Sequence, residues 1–253
     1  MSKAKWPRPQ WSDGGERAFL LWFVFGDFPA EFRIDAAKYR TRGMPDGVQV
    51  IRYVNRELAK WDGYPLAGAL GAMLWEEDAA LFERAKRARE CIVIRGEIAD
   101  PADLDPLRDV VGTIAGLCDL GAVAVIDPQT LDMADATDWR ARFFDDDAFH
   151  PRDHVLILCS DDEHDAGRAW VHTRGMRKFA RPDVSIVNVP PEAVDAAGEL
   201  ALRFVAFQCA GGIVEEGREV EVDGLPEGMR ARHGGEAADP DFNNTHFELR
   251  WPG

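Results

Sequence analysis

The densest group of chemically capable side chains lies in one stretch, Ala169 to Asp183, with the sequence AWVHTRGMRKFARPD. It carries His172, Thr173, Arg174, Arg177, Lys178 and Arg181 around Gly175. Guanidinium groups grip carboxylates and phosphates through paired N–H donors, and a glycine turn exposes backbone N–H groups to the same ligands. An imidazole beside a bound anion can move protons. This pattern therefore suits a small-anion site, with His172, Thr173, Arg174, Arg177, Lys178 and Arg181 as ligand-binding candidates. The competing account is charge balance, because a basic island in an acidic region finds partners nearby and such pairs contribute little individually.

The six histidines are His150, His154, His164, His172, His233 and His246. None belongs to an HExxH motif, and none stands at zinc-ligand spacing from a cysteine. His150 and His154 are four apart, but Pro151 between them spoils a helical face. His172, His233 and His246 can meet only through tertiary folding, with Asp239 and Asp241 as possible oxygen donors. This expectation adds His233 and His246 to the candidate set, and it requires the loop before His246 to fold back on the basic segment. Spacing supports no metal and no cofactor. The acidic turn Ser160 to Asp165 lacks the ligand spacing of a calcium loop. No GxSxG, no GxGxxG after a strand and no GxxxxGK[ST] occurs, so catalytic residues remain unassigned.

Charge narrows the partner class. Thirty Lys and Arg face 45 Asp and Glu, for a net charge of −15 over 253 residues. The first 126 residues hold 17 basic and 19 acidic groups, and the remainder holds 13 and 26. Such a field repels phosphate backbones and attracts cations, so nucleic acid is not expected and a cationic protein partner is. Eight Trp and 14 Phe suit a well-filled core, with Trp6 and Trp11 in a polar lead-in as potential contact residues. No apolar run reaches membrane-spanning length, and no signal-peptide core follows Met1. Cys91, Cys118, Cys159 and Cys209 each sit in an apolar setting, which predicts buried free thiols and a cytoplasmic protein.

These residues must be positioned by elements that the patterning outlines. Strands are predicted at 18–26, 47–54, 91–98, 122–126, 154–160, 168–175, 183–189, 218–224 and 245–251. Residues 52–61 also read as a helix. Helices are predicted at 76–90, at 100–121 with Asp100 as N-cap, at 138–144, and from Pro190 to Ala210 with Gly211 and Gly212 as the stop. A long polar loop is expected over 228–244. Strands mix with helices without strict alternation, which predicts an α+β fold: a mixed, largely antiparallel sheet covered by four or five helices. One domain is expected, with a possible subdomain division near 127–150.

The segment VHTRGMRKFARPDVSIVNVP resembles a group of uncharacterised bacterial domains in which a strand ending Trp-x-His-Thr precedes Gly-[Met/Leu], a Phe-x-x-Pro-[Asp/Glu] step and another strand. The matching residues are Trp170, His172, Thr173, Gly175, Met176, Phe179, Pro182 and Asp183. The ending FNNTHFELRW looks similar too, so the resemblance covers roughly the last hundred residues. It implies a bacterial cytoplasmic protein in a toxin or secretion-system neighbourhood, and transfers no activity. With the acidic second half, the leading expectation is a protein-binding module, in its sharpest form an immunity or inhibitor protein for a basic toxin or effector. The alternative is an enzyme or anion-binding protein built on the His172 segment. Oligomeric state is left open.

Overall fold

The computed structural model describes residues 5–54, 61 and 63–252. The fold is α+β, with two mostly antiparallel five-stranded sheets. The chain divides into two compact units. The first contains Phe19–Ile98 and Leu104–Phe149, and the second contains Pro7–Ala18, Ala99–Asp103 and His150–Gly253.

The first sheet contains β1 (Arg17–Gly26), β2 (Val48–Val54), β3 (Glu90–Ala99), β4 (Ala122–Asp127) and β5 (Asp132–Asp135), in the order β2-β3-β1-β4-β5. Trp22, Phe23, Val24 and Phe25 are all buried, so β1 has lost water on both faces, as a central strand should. α1 (Gly68–Glu77) and α2 (Ala79–Arg87) bury Leu74, Leu81, Phe82 and Ala85 against Phe23, Phe25, Cys91 and Val93. The helix expected over 76–90 is thus two helices meeting at Asp78, whose side chain accepts the Leu81 N–H at 2.9 Å and caps α2. α3 (Asp105–Asp119) has Leu104 as its N-cap, four residues later than Asp100 predicts, with Pro106 in its first turn. Its Leu107, Val110, Val111, Ile114 and Leu117 are all buried. α4 (Ala136–Arg140) runs on into a π-helical turn over Ala141–Asp145. Of the predicted helix reading over 52–61, residues 55–60 lie outside the described residues; 52–54 are strand.

The second sheet contains β6 (Leu156–Asp161), β7 (Ala169–Arg174), β8 (Asp183–Val189), β9 (Arg232–Gly235) and β10 (Thr245–Arg250), in the order β6-β7-β8-β10-β9. β6 and β7 form the predicted hairpin, and β8 and β10 run parallel. A parallel pair needs a crossover, and α5 (Val194–Cys209) lies between these two strands in sequence. One face of the sheet packs Val171, Val184, Ile186, Phe247 and Leu249 against Ala197, Leu200 and Ala201 of α5. By alternation, Trp170, His172 and Arg174 of β7, Asp183 and Ser185 of β8, and His246 and Glu248 of β10 project from the other face.

Three further features differ from the sequence expectations. The strand predicted at 218–224 is reduced to an isolated bridge between Glu219 and Arg230, because this segment pairs only over a few residues with 229–231. The loop predicted at 228–244 contains β9. Cys91 and Cys209 are buried free thiols, but Cys159 is exposed, because β6 is an edge strand.

Asp100 serves the second unit rather than a helix. Its two oxygens accept from Arg8 at 2.6 Å and Arg181 at 2.7 Å, and all three side chains are almost wholly buried. Arg181 also donates to the carbonyls of Ser12, Gly211 and Gly212, and Arg8 to those of Pro101, Phe179 and Gln208. Burial disfavours the Asp100 carboxylate, but these guanidinium bonds and the Gly14 N–H hold its pKa below the usual range. The triad joins three stretches distant in sequence, so the unit is discontinuous in chain but continuous in bonding.

Candidate functional site

The basic segment is built inward. Gly175 adopts φ +113°, a left-handed conformation that glycine reaches without steric cost, and it starts a 3-10 turn over Met176–Phe179. Met176 and Phe179 are fully buried. The turn drives Lys178 inside as well, where Nζ donates to the His154 carbonyl at 2.8 Å. Arg181 belongs to the Asp100 triad. Arg174 donates to the carbonyls of Pro240 and Asp241, and Arg177 to those of Ala237 and Asn243. The loop 236–244 therefore folds back on the basic segment and is strapped down by its guanidinium groups through backbone carbonyls.

Asp183 is the hub beneath this strap. It is fully buried and accepts from Thr173 Oγ1 at 2.7 Å, Asn244 Nδ2 at 2.8 Å and the Met176 N–H at 3.3 Å. Thr173 Oγ1 in turn accepts the Val184 N–H. Burial pushes the Asp183 carboxyl up to about 7, against the pull of Asn244, Thr173, the Met176 N–H and the Arg174 charge. The motif residues Thr173, Gly175, Met176, Phe179 and Asp183 thus have structural employment: they fix a strand, a turn and a strap to one another.

The histidines divide between two faces. His172 stacks on Trp170 with ring centroids 3.7 Å apart, and Phe242 of the strap meets it edge-on at 5.5 Å. Phe242 also stacks on His246 at 4.3 Å. Trp170 is fixed by an Nε1 bond to Ser185 Oγ at 2.9 Å. Burial, reinforced by the Arg174 charge, lowers the His172 pKa to about 4, and burial lowers that of His246. The Nδ1 atoms of both rings are buried without a hydrogen-bond partner among the described residues. His233 lies across from Phe247 and so projects on the α5 side of the sheet. Its Nε2 meets the Val214 carbonyl at 2.8 Å, and its backbone N–H donates to Glu216 at 2.6 Å. His172 and His246 therefore share a ring cluster, and His233 does not join them. Among the described residues no group of three His, Cys, Asp or Glu side chains is placed to hold a metal.

What the basic segment lacks, the following acidic run has in excess: outward-facing charge. Residues 215–227 hold Glu215, Glu216, Glu219, Glu221, Asp223 and Glu227 against Arg218. Val220 is buried while Glu221 and Asp223 on either side of Val222 are exposed, so the run presents its carboxylates to solvent. Glu219 pairs with Arg230, and Glu216 receives the His233 N–H. This surface was not singled out from sequence. The signal available there was the density of carboxylates on alternate residues of REVEVDG.

No family model, curated protein or solved structure matches the chain. None of the described helices is long and apolar enough to cross a membrane.

Proposed function

We propose that the chain is an acidic protein-binding module for a cationic partner, and in its sharpest form an immunity or inhibitor protein for a basic toxin or effector. The observation that carries this reading is the partition of charge in the second unit. Arg8, Lys178 and Arg181 are buried and bonded inside, whereas the carboxylates of 215–227 face solvent. The run carries six carboxylates against Arg218, so the field at that surface is locally negative. A partner of opposite sign is drawn in faster and oriented by that field.

The reading built on His172, Arg174 and Arg177 meets a competitor within the chain. The guanidinium groups that an anion needs already donate to strap carbonyls, and Phe242 covers the His172 ring. Catalysis or anion binding there requires the strap to lift.

Oligolysine, titrated into the full chain at increasing salt, tests the proposal, with oligoglutamate as control. Binding of oligolysine that weakens steadily with salt supports it. Equal response to both polymers, or none to oligolysine, removes it.

A further inference from the structure

The acidic run forms one wall of a groove whose other wall is α5. Leu200, Phe204 and Phe207 recur on one stripe of the helix, opposite Ile213, Val220 and Val222, around a cavity of about 590 Å³. Phe207 and Ile213 remain 39% and 38% exposed, far more than core side chains in the same unit. The Phe207 ring packs on Gly212, where a Cβ would stand 2.3 Å from it, so this glycine seats the aromatic at the groove. The opposite wall is tethered to β9 by His233 through Val214 and Glu216. Each wall thus has its own fixed contacts, Phe207 on Gly212 and the 214–216 segment on His233.

Its chemistry is two-part. The floor is aliphatic and aromatic, and the lining carries Glu215, Glu219 and Glu221 against Arg203 and Arg218. Beyond the lining, the exposed Asp223 follows in sequence, whereas Glu227 lies with Arg230, Arg232 and Arg250 in a separate pocket. An apolar floor whose rim carries three carboxylates to two guanidinium groups, with the exposed Asp223 adjoining, favours apolar side chains flanked by lysine or arginine.

We infer that this groove docks an amphipathic, lysine- or arginine-rich segment of the partner protein, with its apolar side chains against Phe207 and Ile213 and its cations on the Glu215–Glu221 rim. The inference rests on the cationic-partner reading and adds the place and the anchoring chemistry. Hot spots of this kind concentrate at aromatic anchors surrounded by charges that orient the partner.

Two synthetic peptides of equal charge and length separate the inference from the reading beneath it. One alternates lysine with leucine at helical spacing, and the other replaces each leucine with serine. Both are titrated into the full chain, into Phe207→Ser and into Ile213→Ser, with thermal melts to establish folding. The expected result is that the lysine–leucine peptide binds at least about tenfold more tightly than the lysine–serine peptide. Each groove variant should erase that advantage and leave lysine–serine binding unchanged. If both peptides bind wild type equally, or the advantage survives in folded variants, the groove is not the docking site, although the cationic-partner reading stands. If neither basic peptide binds, both fall. The two variants act on separate walls, so loss of folding in one leaves the other to decide.

Discussion

Two charged stretches of the second unit invite opposite readings in sequence and have opposite fates in structure. Ala169–Asp183 concentrates four cations in a setting that suggests a ligand site, yet Lys178 and Arg181 are buried and Arg174 and Arg177 are engaged by the strap. The run 215–227 looks like ordinary solubilising charge, yet its carboxylates face outward along a groove with an aromatic wall. The difference lies in what surrounds each stretch. Carbonyls exposed by turns and helix ends consume guanidinium donors, whereas carboxylates on a short irregular segment find few donors. Charge is therefore informative about binding only after internal hydrogen bonds have been assigned.

The comparison breaks first at Asp100. Asp100→Ala leaves Arg8 and Arg181 buried without their counter-charge, and we expect a loss of about 3–5 kcal/mol in urea unfolding. A loss below about 1 kcal/mol, typical of an exposed pair, would mean that the basic residues are not structural. Thr173→Val removes a donor to Asp183 and the acceptor of the Val184 N–H, for an expected loss of about 1–3 kcal/mol, while Thr173→Ser retains most of the stability. In the acidic run, Glu221→Gln and Asp223→Asn should change stability by less than about 0.5 kcal/mol, since both groups are exposed.

A pH series sharpens the account of the hub. The folded-state pKa of Asp183 is raised to about 7, so its contribution to stability is greatest below the unfolded value and is lost as pH rises through 7. His172 is lowered to about 4, so its contribution is present above the unfolded value near 6.5 and is lost as pH falls through 4. The two oppose each other between these limits. The stability difference between wild type and Asp183→Asn should therefore widen as pH falls from about 7 to about 4. A difference that stays flat would show that the three donors keep the carboxylate ionised throughout.

Much of the architecture was legible in the sequence, for reasons visible in particular residues. Alternating or continuous apolar runs marked β1, β3, β4, β7, β8 and β10, and the 3.6-residue stripe from Val194 to Gln208 marked α5, ended by Gly211 and Gly212. Boundaries failed where a polar side chain had two possible employers. Asp100 precedes Pro101 as a helix cap would, but two buried arginines claim it; Asp78 splits an apparently continuous helix. For the candidate site, the strap's return onto Arg174 was anticipated, whereas the division of the histidines was not, because strand parity places His233 and His246 on opposite faces only once register is known. The exposed side of α5 was missed because Phe207 lies beside the dominant stripe and reads as more core.

The central claim is that the outward carboxylates bind and the basic segment supports. The direct measurement is oligolysine affinity at low salt for two folded variants of the full chain, one with Glu215, Glu221 and Asp223 changed to their amides and one with Arg174→Gln and Arg177→Gln. The account predicts at least about a tenfold weakening in the first and little change in the second. Unchanged affinity in the amide variant would contradict it.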